Sequence, residues 1–96
     1  MAVVYILHSE KADRFYIGST KDMAIRMEQH LAKVFSGAFT ARADDWQIAL
    51  CLENLGYSQA RQIETYIKSM KSKVFIRRLI ANEDLQNHII QKFAEP

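Results

Sequence analysis

Cysteine, proline, tryptophan and glycine are all scarce in this sequence of 96 residues, with one, one, one and three copies respectively. A lone thiol, Cys51, cannot close an internal disulfide, so a core must hold the fold, and a reducing compartment is implied. Cys51 sits in an apolar run where burial is its expected fate. His8, His30, His88 and Cys51 lack the spacing of a zinc site. The three glycines form neither a phosphate-cradling loop nor a Gly-x-Ser-x-Gly elbow, which excludes two common routes to phosphate binding and acyl transfer. No apolar run is long enough to span a membrane, and residues 2–7 are too short for a signal-peptide core. The expected location is the cytoplasm.

Negative charge is missing from one stretch in particular. Between Asn54 and Asn82 the one carboxylate is Glu64, whereas Arg61, Lys68, Lys71, Lys73, Arg77 and Arg78 are cationic. Solvated helix faces are usually mixed in sign, so this segment invites a polyanion more than the net charge of +2 does. Hydrophobic residues at 49% and charged residues at 25% describe a globular chain, of a length suited to one domain over residues 1–96.

Period-2 patterns predict two strands, over residues 3–7 and 15–20, joined by a polar turn at 9–14. Tyr5 and Tyr16 lie inside these aliphatic strands, and Gly18 lets another group come close. Thr20 or Asp22 caps a helix whose stripe is Met23, Met27, Leu31 and Val34. At 100° per residue, Arg26 stands about 60° from Met23 and His30 about 40° from Arg26, so both flank the stripe. Residues 35–45 read as a loop and 46–53 as an apolar third strand, buried on both faces, although so short a run also fits a helix.

Ser58 is the expected N-cap of a helix with the stripe Ala60, Ile63, Ile67 and Met70. Glu64 borders that stripe, between Ile67 on one side and Lys68 on the other. Residues 73–81 continue as a further helix, and a last one starts at Asn82 with Leu85, Ile89 and Phe93 inward. The order β-β-α-β-α-α-α defines an α+β fold, a small sheet flanked by helices.

Val3-Val4-Tyr5, Tyr16-Ile17-Gly18, Arg26 ten residues after Tyr16, His30, and Glu64 on a later helix together resemble the GIY-YIG nuclease superfamily. Within it, the chain is similar to small single-domain proteins related to the N-terminal nuclease domain of the excision-repair subunit UvrC. The likeness runs from about residue 3 to 79; its second motif is complete, and in its first Val3 replaces the name-giving glycine. Ser19 stands where some relatives carry lysine, Asp44-Asp45 put negative charge in a loop that many make basic, and residues 40–42, with Arg42, follow their Thr-x-Arg-like stretch.

The resemblance implies a three-stranded, mainly antiparallel sheet on which Tyr5, Tyr16, Arg26, His30 and Glu64 converge as catalytic residues. It assigns Glu64 to Mg²⁺ or Mn²⁺, consistent with an ion held by one carboxylate plus waters and phosphate oxygens. An ion pair with Lys68 at i+4 is the plain alternative for Glu64. Arg26 offers a planar fork for the charge on an attacked phosphorus. Phenols ionise near pH ~10 and are poor bases at neutrality. Either Tyr16, helped by metal and Arg26, or His30 therefore takes the proton from water, with Tyr5 orienting it.

The activity expected is divalent-metal-dependent endonuclease or nickase action on DNA, in repair or recombination, by a monomer or weak dimer, with RNA also open as substrate. Arg42, Lys68 and Lys71 are the expected nucleic-acid contacts, and a partner protein is expected to supply specificity. The alternative is a non-catalytic nucleic-acid-binding or protein-interaction module on the same fold. One further expectation follows from Glu64 at a core border. Desolvation costs the metal-free fold, so an amide there should leave melting unchanged or raise it.

Overall fold

A computed structural model of the chain describes residues 1–28 and 45–94. Three strands, β1 (Ala2–Ser9), β2 (Arg14–Thr20) and β3 (Gln47–Leu55), form one antiparallel sheet in the order β2-β1-β3. A helical stretch, α1, covers residues 23–28, and α2 (Tyr57–Met70), α3 (Lys73–Ala81) and α4 (Glu83–Lys92) follow β3. The α+β fold and its element order are those the sequence predicts. Among the described residues no helix is long and apolar enough to cross a membrane.

Strand β1 is central and buried almost throughout, because both of its faces are covered. Val4 and Ile6 join Leu52, Ala60, Ile63, Ile67, Leu79 and Ile89 in the main core. Tyr5 and Leu7, one residue out of phase, point to the opposite face and are fully buried too. Burying each such Ile or Leu contributes about 1.5–3 kcal/mol, so the α2 stripe fixes that helix against the sheet. Met70, expected as its fourth member, is 41% exposed because α2 ends there. Lys71 closes the helix in the left-handed region at φ 48°.

Boundaries differ from the sequence reading: β1 runs over Ala2–Ser9, where residues 3–7 were expected. Strand β3 runs to Leu55, and it is not buried on both faces, since as an edge strand it leaves Gln47, Ile48, Glu53 and Asn54 exposed. Gly56, not Ser58, caps α2, its N–H donating to Gln59 Oε1 at 3.1 Å. Ser58 Oγ instead accepts from Gln62 Nε2. Asp22, Ser72 and Asn82 cap α1, α3 and α4, each accepting from the backbone N–H three residues on.

The β1–β2 turn is fastened from two sides. Asp13, at φ 50°, receives Lys73 Nζ at its carbonyl and carboxylate, with Arg77 3.6 Å away. Asp45 accepts from Ser9 Oγ and from the Lys11 N–H, so this acid is spent on holding the turn. The turn sets the register of β1 on β2, and the register places the tyrosines.

Candidate active site

Antiparallel pairing sets Tyr5 opposite Gly18 and Leu7 opposite Tyr16, so both tyrosines lie on the face away from α2. Their rings are 6.4 Å apart, centroid to centroid, and inclined by 20°. The Tyr5 ring lies across Gly18: a Cβ there would come within 2.6 Å of Tyr5 Cζ. The space that glycine leaves is therefore taken by a phenol of the same site.

Arg26 reaches this face from α1, where Asp22 caps the helix and Met23 and Met27 turn inward beside it. Its Nε donates to Tyr5 Oη at 3.0 Å and its Nη2 to Tyr16 Oη at 3.5 Å, so one guanidinium spans both hydroxyls. The hydrogen bond to Tyr5 strengthens its hold on the charge against partial burial. Burial in turn pushes the Tyr5 phenol above its ordinary value, against the pull of Arg26 and with the Glu64 carboxylate adding to the rise. Tyr5 stays protonated at neutral pH.

Glu64 stands on α2 at the margin of the buried stripe, with its side chain 21% exposed. Its two oxygens accept from Ser19 Oγ and from Lys68 Nζ, the latter at 2.6 Å. Burial raises the Glu64 carboxyl, but the hydrogen bonds from Lys68 and Ser19 outweigh it and hold the group below the usual carboxylate range. Ser19 adjoins Gly18, so β2 carries the seat of Tyr5 and the partner of Glu64 on consecutive residues.

The donors on offer to a divalent cation are one carboxylate and a neighbouring hydroxyl. Glu64 is ionised, sits beside a hydroxyl, and lines a cavity of about 380 Å³ with Ser19, Thr20, Lys21 and Arg61. Among the described residues no group of three or more His, Cys, Asp or Glu side chains exists, so the ion such a site fits is one that keeps waters and borrows phosphate oxygens. Lys68, half-exposed, would have to release one carboxylate oxygen for such an ion.

Tyr5, Tyr16 and Arg26 are thus joined by hydrogen bonds, and Glu64 acts on Tyr5 through its charge. His30 and Arg42 lie outside the described residues. Lys68 and Lys71 line a cleft of about 250 Å³ with Arg14 and Lys73, between the β1–β2 hairpin and the α2–α3 turn. The sequence reading missed Ser19 as the partner of Glu64, and it did not bring Lys21 and Tyr57 beside it, while Arg61 was counted only as part of the cationic segment. Tyr57, Arg61 and Glu64 share one helix face at spacings of four and three, a signal it left unused.

A guanidinium bonded to two phenols, with an ionised carboxylate on a nearby helix, makes up the candidate site. The chain belongs to the GIY-YIG family, since the family model described as GIY-YIG catalytic domain matches residues 1–78. No curated protein and no solved structure matches it. Domains of this family are typically endonucleases, which generally use divalent metals, so nuclease activity and nucleic-acid binding are the general expectation for this chain.

Proposed function

We propose that the protein is a divalent-metal-dependent endonuclease or nickase that hydrolyses DNA phosphodiester bonds, in repair or recombination, with Tyr5, Tyr16, Arg26, His30 and Glu64 as its catalytic residues. The carrying observation is the Arg26 fork spanning the Tyr5 and Tyr16 hydroxyls. Arg26 keeps its charge and a fixed orientation, which suits it to the negative charge that grows on the phosphoryl oxygens during in-line attack. Tyr5, kept protonated, orients Arg26 and does not serve as the base. Tyr16, half-buried beside it, holds the attacking water, and the proton passes to Tyr16 or to His30. Glu64 binds Mg²⁺ or Mn²⁺. What the ion supplies when bound is charge stabilisation at the leaving oxygen.

Arg26→Lys tests this reading, because it preserves the charge and removes the fork. Plasmid nicking in Mg²⁺ should fall by about 10²–10³-fold, while DNA affinity measured in EDTA changes by less than about threefold. Equal loss of both would make Arg26 a docking residue.

A second reading, a non-catalytic nucleic-acid-binding or protein-interaction module, draws on a specific observation. Both oxygens of Glu64 are already engaged by Ser19 and Lys68, and Val3 stands in the first motif. DNA binding that survives EDTA, with no cleavage in Mg²⁺ or Mn²⁺ of duplex, nicked or branched DNA, would favour it.

A further inference from the structure

We propose that Tyr57 and Arg61 form a stacking subsite for an unpaired nucleotide close to the scissile phosphate, so that the preferred DNA carries a single-stranded segment. This rests on the nuclease reading of Glu64. Tyr57 opens α2 and is 53% exposed, whereas every other aromatic among the described residues is buried or half-buried. Its ring packs into no core cluster, and among the described residues its hydroxyl has no hydrogen-bond partner.

The surroundings fit an anion with a flat face. Lys21 Nζ stands 4.7 Å from the Tyr57 ring centroid, and Arg61 follows one turn along α2. Tyr57, Lys21 and Arg61 line the same cavity as Glu64, and Glu64 is its one acid. The first turn of α2 has no carboxylate either, although acids are favoured at a helix start. Tyr57 and Arg61 also line a neighbouring groove of about 680 Å³ with Tyr66 and Phe93 among its walls, and no acid lines it. Both volumes fall within the range of about 300–1,000 Å³ usual for ligand pockets.

Along the helix, Tyr57 lies about 10 Å from Glu64 at 1.5 Å per residue, within reach of a short unpaired segment. A base inside a duplex already has neighbours on both faces and cannot lie on Tyr57, whereas an unpaired base can. Such stacking is sequence-tolerant and is worth about 5–150-fold in affinity on alanine substitution. The subsite therefore selects DNA by strandedness, without reading its bases.

Two oligonucleotide duplexes test this in EDTA, with the full-length protein. One carries an unpaired three-nucleotide overhang containing 2-aminopurine, and the other has the same base paired within a blunt duplex. The wild-type protein should bind the overhang about tenfold more tightly and quench its fluorescence. Tyr57→Ala should lose both the preference and the quenching, and Tyr57→Phe should keep them, with all three proteins melting at the same temperature. Equal binding of the two duplexes by the wild-type protein, or an unchanged preference in Tyr57→Ala, would overturn the subsite. Cleavage in Mg²⁺ is scored separately. A protein that stacks the overhang through Tyr57 yet never cuts would retain the subsite and lose the nuclease reading.

Discussion

At Glu64, burial and hydrogen bonding act in opposite directions. Burial would raise the carboxyl, but Lys68 and Ser19 each donate to it, and the folded-state value ends below the ordinary one. The expectation that an amide would leave the metal-free fold unchanged or more stable is thereby reversed. It treated the desolvation as only partly offset by Lys68, and it lacked Ser19, 45 residues away. Since Lys68 is half-exposed, screening limits the effect, and Glu64→Gln should lower metal-free stability by about 0.5–1 kcal/mol at pH 7. A carboxylate with a depressed folded pKa stabilises above its unfolded value, near 4.3, and loses that contribution as pH falls through the folded value. Thermal melts in EDTA should therefore separate the two proteins at pH 7 and draw them together as the pH falls below the unfolded value and through the lower folded one. A gap that does not narrow anywhere in the acid range would mean that the carboxylate charge carries none of the difference. Mg²⁺ should raise the melting temperature of the wild-type protein alone.

Among the elements, those with local signals were legible in the sequence. Alternation marked β1 and β2, and Asp22 and Asn82 marked two helix starts, whereas the Ser72 cap of α3 went unread. Where the signal was weak, at the Gly56 cap and the end of β3, the reading slipped by about two residues. The site was half legible. The interval from Tyr16 to Arg26 could be read off the chain, but Tyr5 meeting Gly18 depends on strand register, which Asp13, Lys73 and Asp45 help to set from far along the sequence. Gly18→Ala tests that register at its tightest point. The added methyl would sit 2.6 Å from a fully buried ring carbon that has no room to retreat. Overpacking of this kind costs about 1–3 kcal/mol, and by tilting Tyr5 it should release Arg26 and abolish nicking. Urea denaturation of the two proteins supplies the measurement, and a change below about 0.5 kcal/mol would place the Tyr5 ring elsewhere.

For the molecule as a whole, a net charge of +2 says little, and the distribution of charge says more. Cations line the surface on either side of Glu64 along α2: Lys21 and Arg61 toward its start, and Arg14, Lys71 and Lys73 toward its end. Not all of them are available to phosphate. Lys68 is held by Glu64, and Lys73 by Asp13, a pair that ties the hairpin to α3. Arg14 and Lys71 line the same cleft and have no acidic partner among the described residues, so they are the cations that can meet a backbone without first breaking an ion pair. Each phosphate contact with duplex DNA adds about 0.9 to the slope of log affinity against log salt, through counterion release. The double variant Arg14→Gln, Lys71→Gln should therefore flatten that slope by about 1.8 and weaken binding most at low salt. Lys73→Gln should instead lower the melting temperature, by freeing the turn at Asp13, and leave the slope almost unchanged. Titrations of one duplex between 50 and about 200 mM salt would measure all three proteins. If the double variant kept the wild-type slope, the DNA would have to run along α2 on the Lys21 and Arg61 side of Glu64 alone.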